Sequence, residues 1–313
     1  VLAPAIGPAI GGALITSFGW RWIFALSLPF CVAGIVLARK TLGSRISQAP
    51  TRFDTGGFAL LVLALVAALN VPVIARREGW HSPLLLAASV AAIALSIGFV
   101  AWELRAREPM LSLRLFRHGV FRSASLVALA YGAGLFGTTY LIPVFVQDVA
   151  HYSAAGAGSL MFLPGLALAV SIAIGGRLTD RHEPRFIMIA GLALFAAGSA
   201  LFAWTGSQTW YWTFVAWLVV GRVGLGMLIP ALNVGAVQSL TGNELAQASS
   251  AINFLRQLGG AAGVNLLAVF LEHRLTALDA SQASRAFHEC FILVAIAFAV
   301  AIVPAWYSRR TGS

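Results

Sequence analysis

The 313-residue chain is 59% hydrophobic and only 10% charged, against roughly 25% charged residues in a soluble globular domain. With a mean hydropathy of +0.85, this composition excludes a disordered chain, a secreted disulfide scaffold and an ordinary cytosolic enzyme, and leaves an all-α, polytopic membrane protein. The formal charge of +10 falls in short basic loops between apolar runs, so it speaks for membrane topology and against nucleic acid as a partner.

A spanning helix needs about 20 mostly apolar residues to cross a ~30 Å hydrocarbon core, and charged residues mark where each run stops. The chain opens at Val1 directly into such a run, with no basic n-region or cleavage site of a signal peptide. It reads as the downstream part of something longer. Uncharged runs cover 1–20, 22–38, 55–75, 79–102, 123–147 and 149–176. The next, 186–221, is too long for one span and divides at Thr205-Gly206-Ser207-Gln208-Thr209. An eighth span then starts near Trp210 and passes Arg222, a ninth runs from about Ala246 to Leu271 through Arg256, and a tenth from Cys290 to Trp306. Ten spanning helices are expected.

Orientation follows from the Lys/Arg bias of the loops. If the first helix ends outside, the inner loops hold fourteen basic residues, among them Arg39, Lys40, Arg45, Arg52, Arg107, Arg309 and Arg310. The outer loops hold five: Arg21, Arg76, Arg77, Arg274 and Arg285. The expected location is the bacterial cytoplasmic (inner) membrane, multi-pass, with the C-terminus in the cytoplasm. In the second long inner loop, Met110-Leu111-Ser112-Leu113-Arg114-Leu115-Phe116-Arg117 is amphipathic and is expected to lie along the interface. Cys31 and Cys290 sit in apolar runs and form no disulfide or metal framework. The six histidines fall in loops or at helix ends, so no metal site is expected; phosphate-binding glycine loops and Ser-His-Asp sets are absent.

The first run carries Gly7-Pro8-Ala9-Ile10-Gly11-Gly12. Pro8 removes a backbone donor and bends the helix, while Gly7, Gly11 and Gly12 let another helix approach closely. Trp20-Arg21-Trp22-Ile23-Phe24 and Pro29 follow. This segment resembles motif C, the antiporter signature of the major facilitator superfamily, and its continuation is similar to the fourteen-helix drug/proton antiporter branch (EmrB/QacA-like). Arg52-Phe53-Asp54-Thr55-Gly56 resembles the branch's entry to its first extra helix, and Trp102-Glu103 with Pro109–Phe116 resembles the exit from its second. Gln147 with Tyr152-Ser153-Ala154-Ala155-Gly156, then Leu163-Pro164, resembles the turn after its ninth helix. Gly176-Arg177-Leu178-Thr179-Asp180-Arg181 followed by Arg185 resembles a repeat of motif A, which implies a cytoplasmic latch. His182-Glu183-Pro184 departs from the glycine expected near 183, which implies a weaker one. Ala248–Gly260 resembles the penultimate helix.

The resemblance implies a major facilitator fold fragment. It would comprise the last two helices of a truncated N-terminal bundle (1–40), two accessory helices with a cytoplasmic linker (41–120), and a C-terminal six-helix bundle (121–313). The family's proton-coupling acidic residue belongs to helices that precede Val1 in this alignment and is not assigned to this chain. The resemblance implies no cofactor beyond the proton as coupling ion, small amphipathic substrates, the lipid bilayer and a periplasmic adaptor protein as partners, and no enzymatic activity.

Arg222 and Arg256 lie within spans, where a cation costs at least about 2.5–3.5 kcal/mol on insertion scales. Each is either a helix tie, bonded to carbonyls, or a charge facing a polar cavity. No Asp or Glu lies mid-span to pair with them. Asn253, Arg256 and Gln257 form one polar stripe, the pattern of a helix that faces a bundle interior or cleft; Gly259 and Gly263 form a close-packing face. Phe136, Tyr140 and Gln147 share a helix with Pro143 and read either as packing or as an aromatic and amide lining for an amphipathic ligand. Asn233 and Gln238 extend that lining or serve as helix-end hydrogen bonds. The function expected is proton-driven export of amphipathic drugs or toxic compounds. The alternatives are a dedicated amino-acid or siderophore exporter, a non-transporting membrane remnant, and, least favoured, an intramembrane enzyme. A single cysteine at position 45 is expected to react with impermeant reagent only from the cytoplasmic side, and one at position 81 only from outside. Reversed labelling overturns the topology.

Overall fold

The computed structural model describes residues 3–41, 54–106, 109–238, 240, 243–278 and 282–308; Arg45, Arg52, Phe53, Arg107, Arg309 and Arg310 lie outside them. Ten α-helices follow in order: α1 (Ala3–Phe18), α2 (Arg21–Thr41), α3 (Thr55–Glu78), α4 (Pro83–Arg105), α5 (Gly119–Asp148), α6 (Ala154–Arg181), α7 (Pro184–Phe202), α8 (Tyr211–Val237), α9 (Asn243–Ala277) and α10 (Ala283–Tyr307). The described residues contain no strand. Among the described residues, nine of the ten helices are long and apolar enough to cross a membrane, in keeping with a multi-pass all-α membrane fold. The tenth, α1, is described over 16 residues, Ala3–Phe18.

The helices outrun their apolar runs. Charge marks the edge of hydrocarbon, but a helix keeps satisfying its backbone groups beyond that edge. α10 begins at Ala283 and not near Cys290, and its first turns carry Glu289, which accepts from Arg274 Nε and Nη2 at 2.5 and 2.7 Å and lies 3.5 Å from Arg285. The amphipathic stretch before α5 forms a short 3-10 helix, Leu113–Arg117. It is anchored by Leu115, which is buried in the core, and by Phe116 edge-on to Phe121 at 5.2 Å.

Helices α5 to α10 surround one continuous apolar core. Near the end of α5, Phe145 meets Phe202 of α7, Phe214 of α8 and both Phe287 and Phe291 of α10, with ring centroids 5.4 to 6.1 Å apart. Elsewhere the helices touch backbone to backbone at glycines. A Cβ on Gly132 would strike the Arg256 carbonyl, one on Gly259 the Leu129 carbonyl, and one on Gly263 would stand 2.5 Å from Ala133 Cα, so α5 and α9 are packed as closely as the chain allows. Gly175 and Gly226 do the same between α6 and α8, and Gly191 and Gly224 between α7 and α8. α1 runs unbroken through Pro8 and lies on α6. Of the three glycines near Pro8, Gly12 makes that contact, a Cβ there standing 2.6 Å from the Ala154 carbonyl oxygen; a Cβ on Gly7 or Gly11 would meet nothing within 4 Å among the described residues. α2 packs against α1 and buries none of its residues.

α3 and α4 form a hairpin that joins two sequence motifs. Asp54 caps α3 by accepting from Gly57 N at 2.8 Å, and the same carboxylate accepts from Trp102 Nε1 at 2.9 and 3.0 Å. A Cβ on Gly56 would run into the Trp102 ring, so glycine there lets the indole reach the cap. Beside it Glu103 is 3% exposed and accepts from Leu111 N at 3.4 Å. Pro72 lies inside α3, three residues after Leu69. The Leu69 carbonyl accepts from Asn265 Nδ2 of α9 at 3.0 Å, and Arg76 pairs with Glu272 at 2.7 Å. Replacing Asp54 with alanine removes the cap and strands the indole donor; it is expected to cost about 1 kcal/mol, read by unfolding in detergent, while Asp54→Asn keeps the acceptor and most of the stability.

Candidate functional site

The polar stripe read from the sequence is present on α9. Asn253 and Gln257 are exposed and Arg256 is half-buried, as helical spacing places them on one flank. Arg256 donates from Nη2 to Asn253 Oδ1 at 2.7 Å, and Asn253 in turn donates to the Ser249 carbonyl at 3.1 Å. The Arg256 guanidinium also sits 5.9 Å from the ring centroid of Tyr131, a cation–π distance. No carboxylate pairs with it among the described residues. Glycines 132 and 259 bring α5 and α9 into backbone contact beneath the stripe, so the arginine is offered on a rigid floor.

One turn further along, Gln257, Gly260, Val264 and Asn265 of α9 and Phe136 of α5 line an open recess of about 540 Å³. The structure thus joins Phe136 and Gln257. Tyr140 lies half-buried against the core one turn beyond Phe136. Gln147 is spent on its own helix, donating to the Pro143 carbonyl at 3.0 Å. Asn233 is exposed on α8, and neither it nor Gln147 reaches the recess.

Arg222 is differently placed. It is 7% exposed on α8 and donates from Nη2 to Thr139 Oγ1 of α5 at 3.2 Å. That hydroxyl is free to accept because its own proton goes to the Leu135 carbonyl at 2.6 Å. The small cavity beside Arg222, about 20 Å³ between Thr138, Ser199 and Phe291, has room for a single water. Arg222 is therefore tied to a hydroxyl across two helices, where the sequence left open a carbonyl tie or a polar cavity.

At the junction of α6 and α7 a polar cavity of about 530 Å³ gathers Asp180, Arg181, Glu183 and Arg185 with Gln238 of α8 and Ser308 after α10. Asp180 has no ion-pair partner among the described residues; Arg185 pairs instead with Glu183 at 2.6 Å and lies 4.4 Å from the Phe186 ring. Gly176 meets nothing within 4 Å, and Gly175 is the close-packing glycine. The departure from the motif at His182-Glu183-Pro184 thus supplies the acid that the arginine uses.

Three contributors were not read from the sequence. Thr139 and Tyr131 carry no signal, being common packing residues until a neighbouring helix supplies an arginine. Asn265 carries one: it is an amide inside the apolar run 259–271, and the rule that questions a mid-span charge questions it too. Among the described residues no group of His, Cys, Asp and Glu is placed to hold a metal ion.

Replacing Thr139 with valine leaves the buried Arg222 without its acceptor. The expected loss is about 1–3 kcal/mol in a thermal or denaturant unfolding measurement, with Thr139→Ser restoring it. Equal stability of the valine form removes the tie.

Comparison with known proteins agrees with this architecture. The family model described as Major Facilitator Superfamily matches residues 1–264. The "Multidrug resistance protein B homolog" of Mycobacterium tuberculosis is 32% identical over 279 residues, covering 88% of this chain and 52% of that protein. The "Multidrug transporter protein MdtP" of Bacillus subtilis is 26% identical over 274 residues, covering 87% and 51%, and the "Methylenomycin A resistance protein" of B. subtilis is 27% identical over 306 residues, covering 97% and 64%. The chain spans about half the length of the first two relatives. Among solved structures, the fucose:proton symporter FucP of E. coli aligns with a TM-score of 0.53 over 99% of this chain and 74% of its own, at 14% identity, a likeness of fold alone. With a family match over most of its length and the helix arrangement described above, the chain belongs to the major facilitator superfamily, a family of membrane transporters.

Proposed function

We propose that this chain serves in the export of amphipathic drugs or toxic small molecules by proton antiport, within a protein of the length its relatives have. The observation that carries this reading is the stripe Asn253–Arg256–Gln257 beside an open recess whose remaining walls are apolar or aromatic apart from the amide of Asn265. A pocket of that kind holds a greasy molecule and orients it with few polar groups, and the names of the multidrug relatives point to the same substrate class. In this reading 1–40 belongs to one bundle, 41–120 to the accessory hairpin and linker, and 121–313 to the second bundle. Alternating access places the stripe in the cleft between bundles near the midplane. The cavity at Asp180–Arg185 is the cytoplasmic latch, the membrane is the bacterial inner membrane with the C-terminus inside, and a periplasmic adaptor would carry the exported compound onward. Gln147 and Asn233 then serve as outlying parts of the lining.

No Asp or Glu of the described helices lies in the central third of its span, so the coupling carboxylate is assigned to another part of the transporter. Expressed as the 313 residues alone, the chain is expected to leave an efflux-deficient host as drug-sensitive as the empty vector does; pH-dependent dye extrusion by it overturns this assignment. In the intact transporter Arg256→Lys keeps the charge and loses the planar fork, while Arg256→Gln loses both. A charge that responds to the coupling carboxylate predicts partial efflux for lysine and none for glutamine in everted vesicles, both proteins being present in the membrane. Normal efflux by Arg256→Gln makes the residue a tether. A second reading, export of one dedicated compound, is favoured by the methylenomycin relatives; a resistance profile confined to one compound selects it.

A further inference from the structure

The flank of α9 turned away from the polar stripe faces α3 and α10 across a cavity of about 450 Å³ that the transport reading does not use. Its floor is Gly134 of α5 with Gly263 of α9, and its walls are Leu267, Phe270, Val294 and Ala297, all apolar. Two polar ties hold α3 against α9 beside this cavity: Asn265 on the Leu69 carbonyl and Arg76 on Glu272. Polar groups gather only at the end where α3 stops. Arg76, Trp80 and His273 form the mouth there, and Trp80 is 76% exposed.

Such a space has few stable contents. A buried water needs two to four polar partners, and the walls below the mouth offer none. An empty space would forfeit the dispersion contacts of every wall. The medium around a spanning helix is hydrocarbon. From Gly263 to His273 the cavity follows α9 through ten residues, about 15 Å of helix rise, which is half of a ~30 Å core and so the depth of one leaflet. At the mouth, Arg76 spends one nitrogen on Glu272 and keeps further donors. His273 adds another, and Trp80 is the amphipathic ring that prefers the headgroup level.

We propose that this cavity binds one acyl chain of a phospholipid, the phosphate held at Arg76 and His273 and the chain reaching down to Gly134. The lipid so bound is a third tie between the α3–α4 hairpin and the six-helix unit, alongside the amide and the ion pair.

The test uses the intact membrane-inserted protein in phosphatidylethanolamine–phosphatidylglycerol vesicles containing a trace of phosphatidylglycerol with a diazirine near the end of one acyl chain. Irradiation is expected to label Leu267, Val294 and Ala297 at least fivefold above Ile93 and Ile97, which are freely exposed on α4. Ala297→Trp and, independently, Leu293→Trp fill the space and should abolish the enrichment while labelling of Ile93 and Ile97 persists, which reports that the fold is kept. Arg76→Gln should lower the enrichment severalfold for phosphatidylglycerol but not for a diacylglycerol bearing the same diazirine chain. Equal labelling of both surfaces reduces the cavity to ordinary lipid contact, and no labelling of its walls means that protein fills it; either result overturns the proposal. Enrichment that survives both tryptophan variants overturns it as well, and an unchanged Arg76→Gln overturns the phosphate contact.

Discussion

A helix in hydrocarbon gains nothing from burying leucine against another helix, because lipid tails are as apolar as the core. What holds such helices together is close approach, and here that approach is made at glycines set where a side chain would collide with neighbouring backbone. Gly132 and Gly259 between α5 and α9, Gly191 and Gly224 between α7 and α8, and Gly175 and Gly226 between α6 and α8 leave the six-helix unit little freedom of register. The arginines depend on this. Arg222 finds Thr139, and Arg256 finds the Tyr131 ring, only because α5 is pressed against both α8 and α9.

The two arginines divide a problem that one charge could not solve alone. A permanently charged group in a low-dielectric interior must be bonded or must face water. Arg222 takes the first course, buried on a hydroxyl, and Arg256 the second, held by its own helix and left half-open beside Gln257. A buried tie and a half-open charge are thus built from the same residue type, and the neighbouring helix decides which is which.

Much of this was legible in the sequence, and the remainder has identifiable reasons. Apolar run length found the helices, because a single segment of about 20 apolar residues can satisfy its own backbone groups in lipid only as a helix. It misjudged their ends, as at Ala283, because ion pairs such as Arg274–Glu289 carry a helix beyond the hydrocarbon edge. Helical spacing placed Asn253, Arg256 and Gln257 on one flank. It could not reveal that Asp54 and Trp102, 48 residues apart, form one hydrogen-bonded cap, or that Asn265 reaches a carbonyl on α3, since both are meetings of different helices. Gln147 and Asn233 were read from residue type alone, and type does not say whether an amide is already satisfied, as Gln147 is by the Pro143 carbonyl.

The interlocked rings around Phe145 have a mechanical meaning. Phe202, Phe214, Phe287 and Phe291 belong to three helices that meet the end of α5 edge-on, an arrangement worth about 0.5–1.5 kcal/mol per pair beyond the area it buries. The opposite ends of α7, α8 and α10 border the polar cavity at Asp180–Arg185. The rings thus join α5, α7, α8 and α10 at one level, so that removing the single ring of Phe145 would loosen three helix contacts at once.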